Sequence, residues 1–258
     1  MRFLLFLLGT VALQEQAPTP RVMENTGKPL RLESVCRAAE IEEYGLTCSE
    51  EDACSVYLDL TSVEPAGARI FLSGNLHTET ATLWSVLLSS DDEGRSWSEP
   101  YPRQRAVTLE RLQFVDFQTG WISGHSVGAL LRNPFLLKTS DGGKTWKPFP
   151  ILEDEPVGVV ETFSFESREH GTLVLDRVQA GKGGRYQRYE SMNGGESWML
   201  RETSMKPLGG QRGRASSNNP DWRIRADAAS KSFRVERRKD NRWTALVAFA
   251  VGAGACKP

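Results

Sequence analysis

Three eight-residue segments place a hydroxyl, a carboxylate or amide, a glycine and a tryptophan at one fixed spacing. They are Ser90, Asp92, Gly94 and Trp97; Thr139, Asp141, Gly143 and Trp146; and Ser191, Asn193, Gly195 and Trp198. A short acidic side chain so placed has three chemical uses: proton transfer opposite a second carboxylate, cation ligation, or acceptance of nearby backbone N–H bonds. The spacing discriminates among them. Asp91 and Asp92 are neighbours in one tight segment, whereas glycoside cleavage needs two carboxyl groups facing each other across a substrate. No EF-hand spacing is present. A glycine two residues after the Asp or Asn supplies the positive φ that a tight turn requires, and the carbonyl of Asp or Asn closes such turns. The segments therefore read as rigid turns, with the Trp as the first large residue of the strand that follows.

Elsewhere the chain carries no His-Glu-x-x-His and no phosphate-binding loop. The three histidines His77, His125 and His170 are scattered, so no metal and no cofactor is expected, and no residue is assigned a catalytic role. Aligning the strands that precede the turns puts Asn75, His125 and Arg177 at comparable positions. These form a candidate binding rim, the plain alternative being polar loop groups in water.

The tryptophans at 97, 146 and 198 recur about every fifty residues, the period of a propeller blade. Short runs rich in aromatic and β-branched residues surround each turn: 56–62, 68–74 and 83–89 for the first unit, 112–117, 120–124 and 135–138 for the second, 159–165, 171–176 and 186–189 for the third. A worn fourth unit follows at 222–228, 232–238 and 243–250, where 239–242 keeps little of the turn pattern. The expected fold is all-β, a β-propeller of about four four-stranded blades.

The pattern Ser/Thr-x-Asp/Asn-x-Gly-x-Ser/Thr-Trp resembles the Asp-box, or bacterial neuraminidase repeat, of sialidase-type propellers, sortilin-type receptors and photosystem II assembly factors. The resemblance covers about residues 54–200 and implies a fold more than a function. A sialidase-like enzyme would carry an Arg-Ile-Pro segment before the first box. This chain has Arg69-Ile70-Phe71 there and Arg223-Ile224-Arg225 late, both without the proline. The expectation is an exported, non-catalytic module that binds a protein or a glycan. A divergent sialidase-like glycoside hydrolase is the alternative.

The two ends of the chain carry the remaining signals. Residues 1–13 hold one Arg and then an apolar run too short to span a membrane, which reads as an export signal and not as an integral membrane segment. Residues 14–53 read as a tail, and 54–258 as the propeller. In an exported chain Cys36, Cys48, Cys54 and Cys256 are expected in disulfides. Of three connectivities, Cys36–Cys48 with Cys54–Cys256 is the expected one, because the second bond would join the first propeller strand to the last. The formal charge of −1 argues against nucleic acid. It conceals nine Asp/Glu against two Lys/Arg in 31–64, and twelve Lys/Arg against five Asp/Glu in 201–243. The two stretches could meet across the ring closure, the basic one could face an acidic partner, or both could be solvated. Completion of a larger ring by self-association is a further possibility.

Overall fold

The computed structural model describes residues 22–36, 38–127, 133–151, 158–177, 184–208 and 217–258. The chain enters through β1 (Met23–Glu24) and β2 (Ser34–Cys36), makes the helix α1 (Ala38–Glu43), and lays down β3 (Cys54–Ala66), β4 (Arg69–His77), β5 (Thr82–Ser90) and β6 (Ser96–Trp97). Next come β7 (Val107–Phe114), β8 (Gly120–Ser126), β9 (Pro134–Thr139) and β10 (Lys147–Pro150), then β11 (Val159–Phe165), β12 (Gly171–Asp176), β13 (Tyr186–Ser191) and β14 (Met199–Ser204). The last strands are β15 (Trp222–Asp227), β16 (Ser232–Lys239), β17 (Arg242–Ala250) and β18 (Gly252–Cys256). The expected signal at 1–13 lies outside the described residues.

Four sheets result. The first runs β2-β18-β3-β4-β5, and β6 joins its outer edge through the bridge Ser89–Ser98 while pairing with β1. The second is β10-β9-β8-β7, the third β11-β12-β13-β14, and the fourth has three strands, β15-β16-β17. Every pairing between these strands is antiparallel except β18 with β2. Strands covered on both faces read as continuous apolar runs, and β4 and β5 are buried along nearly their whole lengths.

Three cores set the order of the sheets in space. Leu72, Val86 and Trp97 of the first sheet pack with Trp222, Val235 and Phe249 of the fourth. Phe71 and Leu87 pack with Leu112, Ile122 and Trp146 of the second. Trp121 and Leu136 of the second pack with Phe163, Phe165 and Leu173 of the third. The row is fourth, first, second, third, and among the described residues no core cluster joins the third sheet to the fourth. The side of the third sheet away from that core carries ion pairs instead, Arg188 with Glu202 at 3.0 Å and Arg201 with Glu190 at 2.6 Å.

All four cysteines are bonded, as Cys36–Cys256 and Cys48–Cys54, which corrects the expected pairing. The reason lies in the strand order. β18 inserts between β2 and β3, so Cys256 stands in register with Cys36 on one side and Cys54 on the other. The joining of the two ends that motivated the expectation is present as strand pairing to β3, while the covalent link goes to β2. Cys48, on the loop that leads into β3, takes Cys54. The expectation omitted β2 because it treated 14–53 as a tail. In the structure this stretch supplies β1, β2 and α1, and Leu30 bridges Phe249 of the fourth sheet.

Candidate functional site

The three repeated turns fold alike because the same atoms find the same partners. In the first, Asp92 Oδ1 accepts Ser96 N at 2.9 Å and Ser90 Oγ at 2.8 Å, Asp92 Oδ2 accepts Ser96 Oγ at 2.6 Å, and Gly94 N donates to Ser90 Oγ at 2.8 Å. In the second, Asp141 Oδ1 accepts Thr145 N and Thr139 Oγ1, Asp141 Oδ2 accepts Thr145 Oγ1, and Gly143 N donates to Thr139 Oγ1, all within 2.6–2.9 Å. In the third, Asn193 Oδ1 accepts Ser197 N and Ser191 Oγ, and its amide donates to Ser197 Oγ, replacing the second carboxylate oxygen by a donor. Hydrogen bonds from Ser96 hold Asp92 down at about 2. Burial works to raise Asp141, but its bonds from Thr145 and Thr139 outweigh that and hold it at about 2. Both carboxylates are therefore spent inside their own turns.

Each turn also seats its sheet on the preceding one. Gly94 and Gly143 have φ of 87° and 81°, and a Cβ at either would collide with Leu246 of β17 or Phe71 of β4. Trp97 and Trp146 donate Nε1–H to Gly94 O and Gly143 O. In the third turn Trp198 Nε1 has no hydrogen-bond partner among the described residues, and Gly194 O instead accepts Trp121 Nε1 at 3.0 Å.

Asn75 and His125, two of the three rim candidates, come together around β7. Asn75 is 8% exposed; its Oδ1 accepts Leu109 N at 2.8 Å and its Nδ2 donates to Leu109 O at 3.2 Å. His125 is 6% exposed, with Nδ1 2.9 Å from Thr108 Oγ1 and 3.4 Å from Glu110 Oε1. Arg177 is placed apart, half-buried on the third sheet, where Nη1 donates to Gln187 Oε1 at 3.4 Å. Beside it Arg185 clamps the buried Asp176 through two bonds of 2.7 and 2.8 Å. Among the described residues no group of three or more His, Cys, Asp or Glu is placed to hold a metal ion.

The sequence reading missed Glu64. It lies on β3 where the first and second sheets meet the segment leading into the fourth, and it is 6% exposed. Burial pushes its carboxyl up to about 7, against weaker opposing bonds from Asn218 N, the Phe114 backbone and Ser217 Oγ. The signal was present in the alternation along β3, where Val56, Leu58, Leu60, Ser62, Glu64 and Ala66 are all buried. Next to it, Pro65 and Asn219 line a cavity of about 400 Å³ between the first and fourth sheets. Trp222, Glu93 and Arg237 complete its polar side, the Arg237 guanidinium 5.5 Å from the Trp222 ring centre.

No protein-family model matches the chain, and no curated protein matches it. Among solved structures it is similar to YCF48 bound to D1 peptide, at 13% identity and a TM-score of 0.42, over 77% of this chain and 60% of that one. It is similar to a polysaccharide lyase, the PL25 ulvan lyase, at 12% identity and a TM-score of 0.44, over 80% of this chain and 54% of that one. A third is Zg3597, a family 117 glycoside hydrolase from Zobellia galactanivorans, at 9% identity and a TM-score of 0.36, over 92% of this chain and 75% of that one. The chain thus spans less than two thirds of the first two.

Proposed function

We propose that this chain is an exported, non-catalytic binding module of the Asp-box propeller type, for a protein or a glycan. One observation carries the reading: the carboxylates that the sequence repeats, Asp92 and Asp141, are consumed as hydrogen-bond acceptors in turns, and Asn193 does the same work without any charge. A side chain that an amide replaces in the next repeat is structural. Export of residues 14–258 after loss of 1–13 fits two disulfides, which persist in oxidising compartments. Among the described residues no helix is long and apolar enough to cross a membrane.

Binding would use the end of the third sheet at which Arg177 lies exposed in part; Asn75 and His125 are buried and hold β7 of the second sheet. Arrays of immobilised glycans and peptides test this. A ligand whose retention falls on Arg177→Glu supports the site, and a ligand unaffected by that change places binding elsewhere.

Glu64 favours a second reading. A buried carboxyl raised to about 7 is the kind of group that donates a proton in glycoside cleavage. Glu64 itself does not line the neighbouring cavity, whose acidic lining residue Glu93 belongs to the first turn. The module is therefore read as a binder, with hydrolysis as the alternative that a Glu64→Gln comparison decides.

A further inference from the structure

Each sheet ends on an outer strand, and the chain covers or blunts three of those four edges. An unpaired edge is a row of N–H and C=O groups that invites another strand. In the first sheet β1 lies along β6, with Met23 opposite Trp97 and Glu24 opposite Ser96, and Asn25 N donates to Arg95 O at 2.8 Å. In the fourth, Leu30 takes the edge of β17, donating to Ala248 O and accepting from Ala250 N. In the second, β10 carries Pro148 and Pro150, which have no N–H to offer. The opposite edges of the second and third sheets are capped by side chains. Asn75 bonds both N and O of Leu109 on β7, and Gln113 bonds those of Phe165 on β11.

β14, the outer strand of the third sheet, carries none of these devices. It pairs with β13, contains no proline, and is exposed or half-buried at every residue from Met199 to Ser204. Among the described residues no segment pairs with its other side. Its two charged side chains reach back over the sheet, Arg201 to Glu190 at 2.6 Å and Glu202 to Arg188 at 3.0 Å, so neither guards the edge. Of the six large apolar side chains exposed among the described residues, four lie on this strand or flank it: Met192, Met199, Leu200 and Met205. Methionine adapts its shape to varied apolar contacts.

We propose that the free edge of β14 binds an extended segment of a partner protein, which adds a fifth strand to the third sheet and sets its apolar residues against Met199, Leu200 and Met205. The molecule supplies its own precedent, since residues 22–25 make the same kind of strand addition to β6, which follows the equivalent turn of the first sheet. Strand addition takes affinity from main-chain bonds and selectivity from alternate side chains. A second copy of the chain fits this edge poorly. A two-fold antiparallel pairing along the whole of β14 sets Arg201 or Glu202 opposite its own copy, and like charges directly opposite destabilise a sheet. A glycan lacks the regular alternation of N–H and C=O that the edge presents. The inference deepens the binding reading by naming a protein strand as the partner, and it rests on that reading.

The test immobilises ten-residue peptides that alternate Val or Ile with Thr, Lys or Glu, each beside a copy N-methylated throughout, on one array with neutral and acidic glycans. The full chain should bind alternating peptides, and their N-methylated copies at least about tenfold more weakly. Hydrogen exchange of the β14 amides should slow when such a peptide is added in solution. Leu200→Lys should weaken peptide binding at least about tenfold, while Phe117→Ser, at an exposed apolar residue between β7 and β8, leaves it unchanged. Leu200 is exposed, so its variant should retain the parent melting temperature, and the exchange measurement reads the edge in the unaltered chain. No peptide bound, equal binding of the N-methylated copies, or unchanged exchange along β14 overturns the proposal. An array that retains a glycan and no peptide overturns the edge alone, and one that retains neither overturns the binding reading as well.

Discussion

The Trp97 indole meets the Phe249 ring edge to face, centroids 5.5 Å apart at 84°, so the first repeated turn is anchored on a strand from the other end of the chain. Both side chains are fully buried. That contact closes the first sheet against the fourth, as Trp146 closes the second against Phe71 of the first at 6.2 Å. Trp97→Ala or Phe249→Ala should therefore cost about 3–5 kcal/mol, read as a lowered urea midpoint. Trp198, only partly buried and without an indole hydrogen bond, should cost less on the same change. Equal losses at 97 and 198 would contradict the packing described.

Replacing Asp141 separates charge from geometry. Asp141→Ala removes the acceptor of Thr145 N, Thr145 Oγ1 and Thr139 Oγ1 together and should destabilise by about 2 kcal/mol or more. Asp141→Asn should be far milder, because Asn193 already serves the third turn. The acid limb of the stability profile would also change. A carboxyl held at about 2 against an ordinary 3.8 keeps its contribution above 3.8 and loses it as pH falls toward 2. The Asn variant should flatten the stability curve in that window.

Glu64 has the opposite sign. Its carboxyl titrates at about 7 in the fold and at the ordinary 4.5 when exposed, so the folded chain holds a proton that the unfolded chain has released. Stability should fall as pH rises from about 4.5 to about 7, by about 3 kcal/mol from this group. Glu64→Gln should remove that slope in urea titrations at several pH values. A slope identical in both proteins would show that Glu64 ionises as freely in the fold as outside it.

Much of this architecture was legible in the residues. The expected strands at 56–62 and 83–89 fall within β3 and β5, and 68–74 overlaps β4 from Arg69 onward, because alternation and turn residues are local signals. The hairpin after β16 was read as a worn turn, and Asp240 and Asn241 make it through φ of 48° and 59° instead of the hydroxyl–carboxylate bonding. The cysteine pairing was not legible, since it depends on β18 entering between two strands from the far end of the sequence. Glu64 was legible in principle from alternation alone. Its shifted titration was not, because that comes from β7 and the 217–218 segment closing over it.

The disulfides give a chemical check on this long-range arrangement. Peptide mapping without reduction should recover Cys36 joined to Cys256 and Cys48 joined to Cys54. Cys256→Ser should lower stability by about 2–5 kcal/mol, the bond spanning 220 residues. Recovery of a Cys54–Cys256 peptide would contradict the order β2-β18-β3.

The claim that this chain binds without catalysis is tested most directly by turnover. The purified protein, incubated with a panel of fluorogenic glycosides and uronides near pH 5 and pH 7, should release no more fluorophore than buffer does. Release that Glu64→Gln abolishes, in a variant that keeps the parent fold, would contradict the account and make Glu64 the acid of a hydrolase.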